Sequence, residues 1–145
     1  MRPAAFVYSL PSAHVAVPSR SVTTMATAPA AVVSAMTRYP YLVAGKKRLC
    51  TTLMSQTEGR VFAKTGAEGL YCAGIPESGL GVAVKVEDGA RRASDVALLH
   101  VLDEVGALTP DDAAALEKLR HSPIKNTREE DSGEIRADFQ LEWVG

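Results

Sequence analysis

Three short, largely apolar segments after residue 59 have the pattern of β-strands and are separated by turn residues, which predicts three strands. The segments run over 60–64, 69–74 and 79–86. Each connection is four residues long, which is short enough for a hairpin. The pattern therefore predicts an antiparallel meander of three strands.

The chain after these strands shows two helical patterns. Within 90–105, apolar residues recur at helical spacing and form a wide stripe that ends before Gly106, a residue type typical of helix ends. We expect this helix to cover the sheet. Thr109 is a favoured N-cap residue, and Pro110 suits the first helical position. A second helix is therefore predicted to begin there and to end near Pro123.

The remaining elements are predicted from shorter signals. Four prolines in residues 1–29 repeatedly deny a long helix, so this stretch is predicted to be loop or poorly ordered. A short helix is predicted over 30–38, closed by Pro40, and an amphipathic helix within 45–55. A last strand is predicted over 134–139. Together these elements predict an α+β domain in which helices flank an antiparallel sheet.

The composition is that of one ordinary soluble domain, with 145 residues, 46% of them apolar and 23% charged. The charge is unevenly distributed, because residues 1–57 carry six basic and no acidic side chains, whereas 58–145 carry ten basic and 17 acidic ones. Such a split is typical of a nucleic-acid-binding arm, a targeting segment or two pieces of different origin, and composition does not choose among them. The basic run at 46–48 is more typical of a solvated face, so no nucleic-acid partner is predicted.

Neither the histidines nor the cysteines have the spacing of metal ligands. His14, His100 and His121 are far apart, so no metal site is predicted, and His100 is interpreted as a packed or partly exposed residue of its helix. Cys50 and Cys72 suit a reducing compartment, and no apolar stretch approaches the 18 residues of a membrane span. We therefore expect a cytoplasmic protein with no membrane partner. An acid-free start rich in Ser and Thr also fits a transit peptide.

The triplet Lys64-Thr65-Gly66 stands at the end of a predicted strand and before a hairpin, the context in which serine β-lactamases and penicillin-binding proteins use it. A lysine there can hold a substrate carboxylate or share a proton with a serine. The threonine hydroxyl adds a hydrogen bond, and the glycine lets a substrate approach the backbone closely. On the triplet alone, a surface lysine in an ordinary turn is the favoured interpretation.

The partner motif of that superfamily, Ser-x-x-Lys, occurs once, at 122–125. It lies downstream of the triplet and in a predicted proline-containing loop, so we set it aside. The chain therefore presents one half of a serine-lysine site.

Longer segments around the triplet carry a family resemblance. Residues 38–45, 48–50, 59–74, 76–85 and 88–90 resemble the C-terminal half of the Rhizobium-type L-asparaginase II family. The resemblance runs from about residue 11 to 138 and is densest over 59–90. The resemblance runs through Glu58, so the charge split is not a junction between two domains. It implies the C-terminal part of a serine-β-lactamase/glutaminase-like fold.

The resemblance also implies a chemistry, the hydrolysis of L-asparagine to L-aspartate and ammonia by paired serine and lysine groups. Lys64 then corresponds to a catalytic lysine, Cys50 to a cysteine that lines the substrate pocket, and Thr65 and Gly66 to substrate-binding positions. Another interpretation of Cys50 is a small buried hydrophobe on a helix. Cys72 is expected in the core of its strand.

The chain also departs from the family pattern, and these departures change the prediction. The resemblance implies that both serines, the first lysine and the zinc site belong to an N-terminal half that this chain lacks, and residues 6–8 stand where the family has Asp-Gly-Cys. We therefore divide the chain into an unmatched segment, 1–10, and the C-terminal half of an asparaginase II domain, 11–145. A truncated chain with little activity alone and with no cofactor of its own is expected.

Two alternatives stay open at this point. The first is a non-catalytic remnant or interaction module whose exposed sheet edge pairs with a partner, either a separate N-terminal half or a second copy. The second is a β-lactamase or penicillin-binding relative, which only the triplet supports.

Overall fold

The computed structural model describes residues 6–10, 13–17 and 27–141, and it divides them into seven strands and five helices. The strands are β1 (Phe6–Leu10), β2 (Ala13–Val17), β3 (Phe62–Thr65), β4 (Leu70–Ile75), β5 (Leu80–Val86), β6 (Ser122–Lys125) and β7 (Asp131–Ile135). The helices are α1 (Thr27–Arg38), α2 (Pro40–Ala44), α3 (Leu49–Gln56), α4 (Arg91–Glu104) and α5 (Pro110–Arg120). The predicted α+β class is confirmed.

The main sheet has five antiparallel strands in the order β1-β2-β5-β4-β3. Its last three strands form the predicted meander, in which Lys64 pairs with Cys72 and Tyr71 pairs with both Thr65 and Val84. Because the meander ends at β3, the strand that carries the Lys-Thr-Gly triplet lies at an edge of the sheet.

The prediction for residues 1–29 was wrong for β1 and β2. These strands add to the free side of β5, so that a three-stranded meander becomes a five-stranded sheet. The prolines argued against a long helix, but they do not interrupt either strand, since Pro11 and Pro18 lie outside both ranges. Strands of five residues fit between them, and proline is compatible with the ends of strands.

Proline also explains how the first helices differ from their predicted bounds. α1 begins at Thr27 and contains Pro29 near its start, where a missing backbone N–H breaks no helical hydrogen bond. Pro40 closes α1 as predicted, but it also occupies the first position of α2, a helix that the sequence pattern did not predict. α3 confirms the predicted amphipathic helix and begins at Leu49.

One face of the sheet carries the core of the domain. α3 packs on β3, and α4 packs on β4 and β5, so the prediction that the helix after the meander covers the sheet is confirmed. Along β5, Val82, Val84 and Val86 are buried and alternate with half-buried residues, which is the two-residue period of a strand with one covered face. Larger buried side chains fill the space between the layers, among them Leu53, Met54, Leu98, Leu99 and Leu102.

The start of α5 is tied to the beginning of the meander through one carboxylate. Asp112 accepts hydrogen bonds from the backbone N–H and the hydroxyl of Thr109, and it forms an ion pair of 2.6 Å with Arg60, just before β3. Burial alone raises the pKa of Asp112, but the hydrogen bonds from Arg60 and Thr109 outweigh it and hold the pKa below its usual value. The predicted N-cap at Thr109 is confirmed as a capping box.

The C-terminal region differs from its prediction. β7 covers 131–135 instead of the predicted 134–139. It pairs with β6, a segment predicted to be loop, and the two strands form a separate sheet. The Asn126 side chain accepts hydrogen bonds from the backbone N–H groups of Arg128 and Glu130, and this stabilises the turn between the strands. Pro123 is tolerated because a two-stranded sheet consists only of edge strands.

Candidate functional site

Lys64 is the exposed residue of the edge strand β3. Its ammonium donates a hydrogen bond to the carbonyl of Thr65, 2.5 Å away, and within the described residues no serine hydroxyl bonds to it. The neighbouring Ala63 is fully buried on the opposite side of the strand. The ammonium is therefore available to a ligand or to a partner residue from outside the described chain.

The turn after Lys64 is a tight hairpin. The backbone N–H of Gly66 donates to the carbonyl of Leu70 at 2.8 Å, and the Thr65 hydroxyl donates to the carbonyl of Gly66 at 3.3 Å. A Cβ atom at position 66 would lie 3.0 Å from the Leu70 side chain. The packing of the hairpin therefore explains why a glycine stands at position 66, in addition to the predicted approach of a substrate.

Two further residues share the sheet face of Lys64. Cys72 is the register partner of Lys64 on β4 and is exposed, so the expectation that this cysteine lies in the strand core was wrong. The strand alternates, and it is Tyr71 and Ala73 that are buried. On β5, the ammonium of Lys85 donates hydrogen bonds to the backbone carbonyls of Glu68 and Val86, and so links the hairpin between β3 and β4 to the end of β5. The exposed face therefore brings one thiol and two lysines onto adjacent strands.

Cys50 has the opposite environment. It lies on α3, is fully buried within the core cluster, and its Sγ is 2.9 Å from the hydroxyl of Tyr71 on β4. Since Tyr71 and Cys72 are consecutive in one strand, their side chains lie on opposite faces of the sheet. The structure thus separates Cys50 from Lys64 by the sheet itself, and it places Cys72 beside Lys64 instead.

The hydroxyl of Tyr71 is kept neutral by its surroundings. Burial raises its pKa well above the usual range, and the hydrogen bond with Cys50 and the nearby charge of Asp95 add to that rise. Asp95 lies on α4, and one of its carboxylate oxygens is buried with no hydrogen-bond partner among the described residues. Burial raises the pKa of Asp95, while the charges of Arg91 and Arg48 act in the opposite sense. The covered face therefore holds a polar cluster, which we define as Cys50, Tyr71 and Asp95.

Sequence reasoning missed both Cys72 and Asp95. For Cys72, the alternation of β4 shows only that Tyr71 and Cys72 lie on opposite faces, and the packing of the helices decides which of them is buried. No comparable signal marks Asp95, since its environment depends on where α4 meets the sheet. For metals, the described part of the chain contains no group of three or more His, Cys, Asp or Glu residues that could hold an ion.

The comparison with known families decides the relationship that this geometry leaves open. The family model described as L-asparaginase II matches residues 4–137, well over half of the chain. The chain belongs to the L-asparaginase II family. The match begins before residue 11, from which the sequence resemblance was drawn. No curated protein matches the chain.

Membership of this family is a stronger reason than the Lys-Thr-Gly triplet alone to consider the exposed face of β3 as a candidate site. In this L-asparaginase II relative, the predicted residues Lys64, Thr65 and Gly66 form one continuous strand end and turn, whereas Cys50 lies across the sheet from them. None of the helices in the described residues is long and apolar enough to cross a membrane.

Proposed function

We propose that this chain contributes to the hydrolysis of L-asparagine to L-aspartate and ammonia, with Lys64 as its catalytic residue. The observation that carries the proposal is the position of Lys64, exposed at the end of an edge strand in a member of the L-asparaginase II family. A serine-β-lactamase-like arrangement of the complete site is part of the proposal, and the Lys-Thr-Gly triplet at a sheet edge supports it.

The chemistry requires a serine that acts with Lys64. In the proposed first step, Nζ of Lys64 acts as the base and accepts the serine proton as the serine oxygen attacks the side-chain carboxamide carbon of asparagine. The C–N bond then breaks, the departing nitrogen takes up that proton, and ammonia leaves an acyl-serine ester. Water attacks the ester carbonyl, and its proton returns to the serine oxygen, which releases aspartate.

We propose that a second polypeptide segment supplies this serine, as the family resemblance implies; among the described contacts, Lys64 bonds to the carbonyl of Thr65. The hydroxyl of Thr65 and the backbone at Gly66 then face the substrate at the edge of β3. Cys50 acts through the covered face, where its contact with Tyr71 supports the strand that pairs with β3. This makes Cys50 a positioning residue in the proposal.

The decisive experiment measures ammonia and aspartate release from the purified chain, alone and mixed with the separately produced N-terminal half of an L-asparaginase II family member. The chain alone is expected to release little, and the mixture to hydrolyse asparagine. Lys64→Ala is expected to lower kcat of the mixture by about 10²-fold or more, the usual effect of losing a general base. Lys118→Ala, an exposed lysine on α5, is the matched control and should leave kcat unchanged.

A non-catalytic interaction module is the second candidate, and the free edge of β3 favours it, because an unpaired strand edge is a ready site for pairing with another chain. A mixture that forms a stable complex but releases no ammonia would support this candidate and reject the first. Release that is equal in the original chain and in Lys64→Ala would reject the catalytic role of Lys64.

A further inference from the structure

Two adjoining cavities lie between α4 and the chain that leaves β7. The smaller has a volume of about 90 Å³ and the larger about 260 Å³, and Val96, Arg136 and Ala137 line both of them. The larger cavity is also lined by Val86 and Asp88, at the end of β5, and the smaller one by Arg120 and His121. None of Lys64, Thr65 and Gly66 lines either cavity, so the cavities are distinct from the proposed catalytic residues.

The smaller cavity is lined by basic side chains. Arg120, Arg136, His100 and His121 contribute to its wall, together with Val96 and Ala137. A volume of about 90 Å³ leaves room for a small charged head group such as a carboxylate or phosphate.

The existing partners of these side chains leave the two guanidinium groups with free donors. Arg120 uses one nitrogen for Asp103, at 2.7 Å, and Arg136 has no hydrogen bond or ion pair among the described residues. His121 is flanked by Glu117 and Glu134, so both of its ring nitrogens already face carboxylates. The free donors at the cavity therefore come mainly from the arginines, whose planar guanidinium groups suit the two oxygens of an oxyanion.

His100 holds the wall of the cavity in place. Its Nε2 lies 2.6 Å from the carbonyl of Phe139 and 3.4 Å from a carboxylate oxygen of Glu104, and its ring packs edge-on against the Phe139 ring. The second oxygen of Glu104 accepts the backbone N–H of Leu141 at 2.7 Å. These contacts fasten the C-terminal segment to α4, so the walls come from two joined elements.

The larger cavity has a different character. Apolar residues, including Val86, Val96, Ala97 and Phe139, form most of its wall, and Asp88, Arg136 and Asp138 also line it. Apolar walls favour a hydrocarbon group over a second charged group, which would lose hydration there.

We propose that the two cavities form a single site for a small oxyanion with a short apolar tail. Arg120 and Arg136 bind the carboxylate or phosphate head in the smaller cavity, and the tail lies against Val96 and Ala97 in the larger one. A ligand with a second negative charge at the end of its tail binds this site more weakly. It does not depend on the proposed asparagine hydrolysis.

Calorimetric titrations with acetate, butyrate, hexanoate and succinate at constant ionic strength test the site on the whole chain. Affinity is expected to rise about fourfold for each methylene buried, from acetate to hexanoate. Succinate, with the same number of carbons as butyrate, is expected to bind more weakly. Hexyl phosphate is compared with hexanoate to show which head group the arginines prefer. Absence of saturable binding, or an affinity that is independent of chain length, would overturn the proposal.

Three variants identify the binding residues. Arg136→Ala is expected to weaken hexanoate binding at least about tenfold, because it removes charge-assisted hydrogen bonds. Arg128→Ala, which removes the same charge from the exposed β6–β7 turn, is the control and should bind hexanoate as the original chain does. Ala97→Leu fills the larger cavity and should abolish the preference for hexanoate over acetate while acetate still binds. Equal losses in Arg136→Ala and Arg128→Ala would exclude the site, with circular dichroism confirming that each variant is folded.

Discussion

The two faces of the main sheet differ in what covers them, although the same strands build both. On the covered face, Cys50 of α3 and Tyr71 of β4 are buried, and their polar atoms bond to each other. On the exposed face, Lys64 and Cys72 lie side by side on β3 and β4. The chain has two cysteines, and each face has one of them.

The two faces therefore differ in whether their polar and reactive groups can meet other molecules. A thiol buried against a neutral tyrosine contributes to packing, whereas an exposed thiol beside an ammonium can meet molecules in solution. The family resemblance implies that Cys50 lines the substrate pocket, but the cysteine next to Lys64 in the described residues is Cys72. Three measurements test this contrast between the two faces.

The largest expected effect is on thiol reactivity. Cys72 should react with iodoacetamide at the rate of an exposed thiol, while Cys50 should react only when the core opens, at least about 10³-fold more slowly. Timed mass spectrometry of the labelled chain measures both rates. In Cys72→Ser, only the slow reaction should remain. Two thiols that react at similar rates would show that Cys50 is not protected by the fold.

The next effect is on stability. Leu53→Ala, which removes a fully buried side chain of α3, is expected to lower the free energy of unfolding by about 2–5 kcal/mol. Leu70→Ala makes the same chemical change on the exposed face, where 37% of the residue remains accessible, and should cost less than about 1 kcal/mol. Urea unfolding of both variants measures the difference. Equal losses would mean that the two faces are equally covered in solution.

The smallest effect concerns the pH dependence contributed by the covered face. Burial raises the pKa of Asp95, so its neutral form stabilises the fold at acidic pH, and this contribution is lost as the pH rises through the raised pKa. Asp95→Asn should therefore be more stable than the original chain at pH 7, by about 1 kcal/mol or less.

The same mechanism predicts that this advantage of Asp95→Asn shrinks toward pH 4, near the value for an unperturbed aspartate. Thermal unfolding between pH 4 and pH 7 follows it. Asp103→Asn, on the same helix and paired with Arg120, is a control that should not be stabilised at pH 7. A lower stability of Asp95→Asn than of the original chain at pH 7 would contradict a carboxylate destabilised by burial.

Local signals were sufficient wherever an element is defined by its own residues. The meander over 60–86 follows from alternating strands and short turns, and the start of α5 follows from Thr109 and Pro110. The failures occur where a distant partner stabilises the element. β2 exists as a strand of the sheet because β5 offers it a free edge, and β6 because β7 folds back on it.

The candidate site divides in the same way. The sequence determined that Lys64, Thr65 and Gly66 stand at a strand end before a tight turn, because spacing along one strand is a local property. It also carried enough of the family pattern to place the chain with L-asparaginase II. The tertiary structure alone decided which sheet face each side chain shares, and with which residues. A period of two separates the faces of a strand, but only the packing of α3 and α4 determines which face is buried, and so leaves Cys50 inside and Cys72 beside Lys64.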